Sequence, residues 1–329
     1  AMAEALSMPR LSICIPTYCQ TEFLRATLLS VHAQEFSDYE LIISDDSPGD
    51  SVAELVASFD FGGRLRYYRN PAVLGSPGNW NEVVRRAKGD YIKLLHHDDQ
   101  LNHPGALSAF VHLLDEHPEA NFAFGASRVE DTISRKYHIH RPAGEQLARL
   151  SGMPEILFFG NIIGAPSATI YRNGLDIEYD HSMKWLVDID FYIRILQQNP
   201  HFAYTPDVLI VTPTNAVHQV TEMCRNSALI ELQEHLLLYQ KIFAKLHAEP
   251  ATRHTWFRLF EKYRIHSHSD IEHVGAKLPS PDLLDNIFSA YRREWLIRGP
   301  YRAYRRLPEP LKRVIRSLRR VGPAFRRNA

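Results

Sequence analysis

The sequence predicts an α/β fold in which a mainly parallel sheet is flanked by helices. Three observations support this fold class. Apolar, β-branched runs of strand length recur through the first hundred residues, segments with helical spacing of apolar residues separate them, and paired carboxylates follow two of the runs. Strands that alternate with helices are typical of a parallel sheet with right-handed crossovers.

The predicted elements follow one another in a regular order. The predicted strands cover residues 11–15, 39–43, 64–68 and 91–95. The predicted helices between them cover residues 21–34, 51–59 and 79–87. Residues 221–290 have mostly helical patterns, with amphipathic stretches at 229–243 and 254–263. The sequence therefore predicts a sheet domain followed by a helical extension.

Paired carboxylates follow the second and the fourth predicted strand. Asp45 and Asp46 end the second strand, and Asp98 and Asp99 follow the fourth. Ligands of open α/β sheets bind outside the carboxyl ends of the strands. Hard oxygen ligands at this edge suit Mg²⁺ or Mn²⁺, which in turn suit a diphosphate. For each pair, a helix cap or an acidic turn is the alternative.

Ordered motifs through these elements resemble glycosyltransferase family 2, whose members have the GT-A fold. The motifs are Ser-Ile-Cys-Ile-Pro-Thr-Tyr at 12–18, Glu-Leu-Ile-Ile-Ser-Asp-Asp-Ser at 40–47, the loop and helix start at 70–81, and Lys-Gly-Asp-Tyr-Ile at 88–92. The resemblance covers about residues 10–220. It implies a Rossmann-like catalytic domain in which residues 10–100 bind a nucleotide and residues 101–220 bind the acceptor. Residues 1–9 are interpreted as a tail or an expression remnant.

The resemblance also implies metal-binding and donor-binding residues. The family's metal motif is Asp, any residue, Asp, Asp, and here His96 takes the first position. Asp98 is therefore the predicted ligand of Mn²⁺ or Mg²⁺, with His96 and His218 as further candidates, because neutral imidazole tolerates softer divalent metals. For His96, positioning of the loop is the alternative. Asp46 would accept the N3–H of a uracil or thymine ring, since an ionised carboxylate is only an acceptor. The predicted donor-nucleotide contacts are Pro16, Thr17, Tyr18, Asp46, Asn79 and Asp99.

The catalytic base is predicted at the start of a helix in the second half. Residues 186–194 resemble the Glu-Asp helix start of the family, with Asp188 at the base position and Val187 in place of the preceding acid. An inverting transfer needs a carboxylate that takes the proton of the attacking hydroxyl. A simple helix cap is the alternative role for Asp188. The acceptor-side candidates are Pro166, Ser167 and Trp185, although Trp185 would equally suit packing beneath the site.

Charge is balanced over the chain but is uneven along it. Lys and Arg number 38 and Asp and Glu number 38, yet from Arg292 onward there are thirteen basic residues against two acidic ones. Residues 291–329 read as a basic amphipathic tail, which would suit an anionic membrane surface. A helix docked on the chain's own acidic domain and a contact in a homodimer are the alternatives. We expect no nucleic-acid binding, because no recognition module accompanies the charge.

Cysteines and apolar runs point to a cytoplasmic protein, and the basic tail leaves open a peripheral location on the inner face of the cell membrane. The three cysteines have no metal-binding spacing, no apolar run approaches the length of a membrane span, and no signal peptide is visible.

The predicted function is an inverting, metal-dependent glycosyltransferase. It would move a sugar from a nucleotide-diphosphate donor, with UDP or dTDP favoured, to a hydroxyl of a glycan or lipid-linked glycan in cell-envelope polysaccharide or lipopolysaccharide synthesis. One alternative is an inactive sugar-nucleotide-binding or scaffold protein, since the acids expected at His96 and Val187 are missing. A sugar nucleotidyltransferase is less favoured, because residues 16–20 contain neither the Gly-rich loop nor the Lys that such enzymes carry.

Overall fold

A computed structural model describes residues 8–215, 224, 226–306 and 308–313 of the chain. It divides into two compact units, residues 1–241 and residues 242–329. His218 lies outside the described residues.

The described part of the first unit contains a nine-stranded sheet. Its strands are β1 (Leu11–Thr17), β2 (Tyr39–Asp45), β3 (Leu65–Arg69), β4 (Tyr91–Leu94), β5 (Gln100–Leu101), β6 (Phe122–Asp131), β7 (Tyr137–His140), β8 (Thr169–Arg172) and β9 (Phe202–Thr214). The order is β3-β2-β1-β4-β8-β6-β9-β5, and β7 pairs with β6. Strands β3, β2, β1 and β4 are parallel, whereas β8 runs antiparallel to both β4 and β6. The predicted parallel half is therefore joined to a half of mixed direction.

Helices surround this sheet. They are α1 (Thr21–His32), α2 (Ser51–Ala57), α3 (Gly75–Arg85), α4 (Ala106–Glu116), α5 (Gly144–Gly152), α6 (Val187–Gln198) and α7 (Ala228–Leu246). Short 3₁₀ turns occupy Pro154–Phe159 and Pro166–Ala168. In the first hundred residues each predicted strand and helix is present, and most ends agree within two residues. The main difference is α3, which begins four residues earlier than predicted.

The core lies on both faces of the parallel strands. Every residue of β1 and of β2 is buried, as expected for parallel strands that are covered by helices on both sides. On α1, Leu24, Leu28 and Val31 are fully buried, which confirms that their helical spacing marks the side facing the core. The candidate functional side chains follow these buried strands at their carboxyl ends.

The second unit is helical. Its helices are α8 (Pro250–Tyr263), α9 (His268–His273) and α10 (Pro281–Arg306). Aromatic rings join two of them, because Phe260 of α8 lies 5.0 Å from Phe288 and 5.3 Å from Tyr291 of α10, measured between ring centroids. Helix α10 continues through residue 291, where the basic tail was predicted to begin, and Pro300 lies within it. None of the helices in the described parts of the chain is long and apolar enough to cross a membrane.

Candidate active site

The carboxyl ends of β1, β2 and β4 meet at one edge of the sheet. Thr17 at the end of β1 is paired in register with Asp45 of β2, and Cys14 of β1 is paired with Leu94 of β4. The backbone N–H of Asp46 donates to the carbonyl of Thr17 at 3.0 Å. The two carboxylate pairs therefore stand at the ends of β2 and β4, on either side of β1 and at the same edge of the sheet, as predicted.

Asp46 fastens the loop that follows β3. Its Oδ1 accepts hydrogen bonds from Asn70 Nδ2 at 2.8 Å and from the backbone N–H of Leu74 at 3.2 Å. Its Oδ2 accepts one from the N–H of Gly75 at 2.8 Å. An ionised carboxylate offers about four acceptor positions, so Asp46 retains capacity for one ligand N–H. Its contact with a base stays a prediction.

Asn79 has a structural role at the same edge. Its Nδ2 donates to the carbonyl oxygens of Ser44 at 3.0 Å and Thr17 at 3.3 Å, and its Oδ1 accepts from Asn70 Nδ2 at 3.0 Å. The Asn79 amide, which was predicted to contact the donor, thus ties the ends of β1 and β2 together. Its effect on a nucleotide would come through these strand ends.

A strained turn follows β1. Pro16 and Thr17 are buried within the strand, whereas the Tyr18 ring just beyond it is 52% exposed. Cys19 and Gln20 have left-handed backbone angles, with φ of 56° and 45°, which are uncommon for residues other than glycine. Of the three predicted base-pocket residues, Tyr18 is the one whose side chain is open to stack on a planar ring.

His96, Asp98 and Asp99 form a cluster in which one ligand atom of each lies within 4.8 Å of the others. Burial lowers the pKa of His96 to about 4 despite the opposing charge of Asp98, so the imidazole is neutral and can coordinate a cation. Burial, and then the charge of Asp98, raise the pKa of Asp99 to about 7. Within the described residues, His96 Nε2 and Asp99 Oδ2 are buried without a hydrogen-bond partner. A divalent cation would satisfy such a donor set, and a mixed imidazole and carboxylate set suits Mn²⁺ better than Mg²⁺.

Asp188 lies in the first turn of α6. The residue at the helix cap is Leu186 and the helix begins at Val187, so the alternative role of Asp188 as the cap is wrong. Its Oδ2 accepts a hydrogen bond from Asn161 Nδ2 at 2.9 Å, and its Oδ1 accepts one from the N–H of Ile189 at 2.8 Å. Burial raises the pKa of Asp188 to about 7. A carboxylate with this pKa matches the need of a general base near neutral pH.

Residues 161–168 connect this carboxylate to the loop that carries His96, Asp98 and Asp99. Asn161 binds Asp188, and Ser167 Oγ accepts a hydrogen bond from the backbone N–H of His96 at 2.9 Å. Pro166 and Ser167, predicted on the acceptor side, are both buried, and Ser167 bonds to the loop that carries His96.

Residues 161–168 also contact the buried side chain of Tyr192 on α6. The hydroxyl of Tyr192 donates to the carbonyl of Gly164 at 3.1 Å. Burial, and then the charges of groups that include Asp188 and Asp99, raise the pKa of Tyr192 well above its ordinary value. Tyr192 lies on α6 with Asp188, and its bond to Gly164 attaches this helix to residues 161–168, which also contact the backbone of His96.

Comparison with known proteins decides the family. Residues 12–179 match the family described as Glycosyl transferase family 2, which is about half of the chain. The chain belongs to glycosyl transferase family 2. It is a glycosyltransferase with a GT-A fold that acts on a nucleotide-sugar donor.

Relatives and solved structures agree with this family. A GalNAc(5)-diNAcBac-PP-undecaprenol beta-1,3-glucosyltransferase of Campylobacter jejuni is 32% identical over 111 residues, covering 33% of this chain and 36% of that one. An uncharacterized glycosyltransferase of Rickettsia typhi is 25% identical over 252 residues, covering 74% and 75%. The crystal structure of S. aureus TarS in complex with UDP-GlcNAc aligns with a TM-score of 0.54 at 14% identity, covering 87% of this chain and 92% of that one. The likeness to TarS shows the shared fold.

Lys93, which bonds to Ser167 in this region of the glycosyltransferase, was not predicted from the sequence. It is fully buried in β4, and its Nζ donates to the carbonyl oxygens of Ser167 and of Thr169, the latter at 3.1 Å. Burial lowers its pKa to about 7, although the charge of Asp99 opposes this shift. A single Lys within the apolar run at 91–95 was a visible signal, because a lysine is rarely buried without a partner.

Glu234 is the second missed residue. It lies on α7, and its buried carboxylate accepts the backbone N–H groups of Lys184, Trp185 and Leu186 at 2.8, 2.8 and 2.7 Å. Trp185, an acceptor-side candidate, has a partly buried side chain at this point. No sequence signal could have found the contact, because Glu234 follows Leu186 by 48 residues.

Proposed function

We propose that the chain is an inverting, metal-dependent glycosyltransferase that uses a UDP- or dTDP-sugar and a glycan or lipid-linked glycan acceptor in cell-envelope polysaccharide synthesis. One observation carries the proposal. Residues 161–168 bond both to Asp188, whose pKa is raised to about 7, and to the loop that holds His96, Asp98 and Asp99. A base and a cation-binding cluster therefore share one support.

The donor would bind along the strand-end edge. Asp46 would accept the imide N–H of the base at its remaining acceptor position, and the exposed Tyr18 ring would stack on the base. Asp98, with His96 and Asp99, would hold a divalent cation, whose charge offsets that of the departing diphosphate.

Asp188 would take the proton in the transfer step. The acceptor oxygen forms a bond to the anomeric carbon from the face opposite the diphosphate, so the configuration inverts. The hydroxyl proton passes to Asp188, and the electron pair of the breaking C–O bond leaves with the diphosphate. At pH values above about 7 the Asp188 carboxylate is mostly ionised and ready to accept.

Similar proteins support the substrate classes. The C. jejuni relative is a glucosyltransferase of GalNAc(5)-diNAcBac-PP-undecaprenol, and TarS has been crystallised with UDP-GlcNAc. A UDP-sugar and a lipid-linked acceptor are thus the first substrates to test.

Nucleotide titration tests the donor site. We would titrate UDP, dTDP and GDP calorimetrically, with and without Mn²⁺ or Mg²⁺. UDP or dTDP should bind in a cation-dependent way, and Asp98→Ala should remove that dependence. Asp90→Ala is the matched control, because this carboxylate is 64% exposed and precedes the same strand. A nucleotide affinity that changes neither with the cation nor in Asp98→Ala would contradict the proposed metal site.

Hydrolysis of UDP-glucose tests the chemistry without a known acceptor. With water as acceptor, NMR should detect β-glucose as the first product, because UDP-glucose has the α configuration and the reaction inverts. Asp188→Asn should keep its affinity for UDP and lose turnover. A first product of α configuration, or full turnover by Asp188→Asn, would show the mechanism to be wrong.

The exposed start of the basic tail supports a membrane-surface role. On α10, Trp295, Leu296 and Ile297 are 46%, 70% and 66% exposed beside Arg292 and Arg293. Apolar side chains flanked by arginines suit the interface of an anionic bilayer. We propose that this segment holds the enzyme at the inner face of the membrane.

Vesicle sedimentation tests this role. The protein should sediment with phosphatidylglycerol vesicles and not with phosphatidylcholine vesicles, and Leu296→Ser with Ile297→Ser should weaken sedimentation. Leu229→Ser, at a residue that is 44% exposed on α7, is the control. Equal sedimentation of wild type and the double variant would contradict the proposal.

A further inference from the structure

Glu234 places a buried negative charge at the entrance to α6. Its side chain is 4% exposed, and both carboxylate oxygens accept backbone N–H groups, from Lys184 on one oxygen and from Trp185 and Leu186 on the other. These three N–H groups precede Val187, the first residue of α6, and a negative charge close to the start of a helix is favoured by the helix dipole. A carboxylate from another helix therefore satisfies the backbone that leads into α6.

Residues 184–186, which Glu234 binds, lead directly into the helical turn that positions Asp188. Leu186 is the cap of α6, and Asp188 follows it by two residues in the first helical turn. Hydrogen bonds from N–H groups to an ionised acceptor are short and strong. Any loosening at Glu234 would thus move the backbone that carries Asp188, while Asn161 holds its side chain from the other side.

The charge of Glu234 also acts on Asp188. Burial is the main cause of the raised pKa of Asp188, and the negative charge of Glu234 adds to it. The other ionisable groups nearby are Tyr179 and Tyr192, whose pKa values burial and the charge of Asp188 both raise, and Lys184, which opposes the rise in the pKa of Glu234.

We propose that Glu234 is a positioning residue for the catalytic base: its three backbone hydrogen bonds fix the turn that leads into α6 and thereby the place of Asp188. This inference rests on the proposed role of Asp188, and its test is arranged so that the two fail differently.

Three variants separate charge from general support. Glu234→Gln keeps the size of the side chain but loses the charge and turns an amide NH₂ toward backbone N–H groups. Glu234→Asp keeps the charge on a shorter side chain. Glu231→Gln is the matched control, because Glu231 is a buried acid one turn earlier on α7 that accepts the N–H of Asn226 at 3.0 Å.

The first measurement is UDP release from UDP-glucose with Mn²⁺ between pH 5 and 9. Glu234→Gln should lower kcat by about tenfold or more, leave KM within about twofold, and shift the acidic limb of the rate profile to lower pH. Glu234→Asp should retain the position of the limb, and Glu231→Gln should retain both the limb and kcat. In the Asp188→Asn background, Glu234→Gln should change the residual rate by less than about twofold, because the two residues act as one unit.

The outcomes are distinguishable. Normal kcat and an unshifted limb in Glu234→Gln, with an inactive Asp188→Asn, would overturn the role of Glu234 and leave the base assignment intact. Full activity of Asp188→Asn would overturn the base assignment itself.

A second measurement needs no substrate. The Tm of Asp188→Asn minus the Tm of wild type should rise between pH 5 and pH 8, because the variant lacks a buried carboxyl that ionises in this range. In the Glu234→Gln background this gain should be smaller by about 2 °C or more, since the charge that raises the pKa of Asp188 is gone. An equal gain in both backgrounds would overturn the proposal.

Discussion

The stability of Asp188→Asn relative to that of the wild type should be greater at pH 8 than at pH 5. In the folded protein the pKa of Asp188 is raised from the ordinary 3.8 to about 7. Between these values the folded state binds a proton that the unfolded chain has already lost. The unfolded state therefore binds fewer protons, and the stability of the wild type falls as the pH rises through this window. Asn cannot ionise, so the variant escapes that loss.

The size of the effect follows from the pKa. From pH 5 to about pH 7 the wild type crosses roughly two pH units of the window, and each unit corresponds to about 1.4 kcal/mol. The expected change is thus about 3 kcal/mol in favour of the variant. For a folded unit of this size, each kcal/mol shifts Tm by about 2–4 °C, so the difference in Tm should grow by about 6–12 °C. The hydrogen bond from Asn161 Nδ2 would be weaker to an Asn side chain than to a carboxylate. This loss costs roughly 1 kcal/mol of stability, and it does not depend on pH.

Thermal unfolding of wild type and variant at pH 5 and pH 8 measures this difference of differences. Asp180→Asn is the control. Burial alone would raise the pKa of Asp180, but hydrogen bonds from Lys241 and Ser182 outweigh it and hold that pKa well below its usual range. Asp180 is ionised at both pH values in both states, so its variant should lose similar stability at pH 5 and pH 8. A difference for Asp188→Asn that stays constant with pH would refute the raised pKa and remove the reason to regard Asp188 as a tuned base.

Three further predictions concern the sheet and its edge. Gly89→Ala should lower the free energy of unfolding by about 1–3 kcal/mol, because a Cβ there would lie 2.7 Å from the backbone nitrogen of Ser12. Gly144→Ala is the control, since a Cβ at Gly144 would meet open space. Equal Tm values for the two variants would contradict the prediction. Lys93→Met should cost about 2 kcal/mol, or about 4–8 °C in thermal unfolding, because two carbonyl oxygens lose a buried donor; an unchanged Tm would show that the ammonium contributes nothing net. Asp46→Ala should weaken UDP binding by about tenfold, or about 1.4 kcal/mol, in calorimetric titration, and an unchanged affinity would exclude Asp46 from the donor site.

The first half of the fold could be predicted because its signals are local. The runs that became β1 and β2 are continuous and apolar, since both faces of each strand are buried. Helix α3 begins early because a short helical turn precedes the non-helical Ser76 and is joined to the main helix across a kink, which no periodicity shows. Strand β5 has two residues and depends on β9, more than a hundred residues later.

The site could be predicted only where a motif marked it. The strand-end acids and Asp188 stand in short patterns, and the structure brings their surroundings together. Lys93 and Glu234 gain their meaning from partners far along the chain, Ser167 and Leu186, which are set by the packing of whole elements. Asn79 stands in a motif and was therefore predicted to contact the donor. The motif did not reveal that its amide already bonds to other groups of the protein.

The residues that α7 contributes bear on where chimeras of related chains could be joined. A graft that joins a foreign C-terminal part after residue 220 would discard Glu234 and also Lys241, whose Nζ binds Asp180 at 2.6 Å and Asp190 at 2.7 Å. The recipient would keep its sheet and its donor edge but would lose two supports of the helix that carries Asp188. A splice placed after Lys241, where the compact units divide, would transfer the second unit and leave both supports with the recipient.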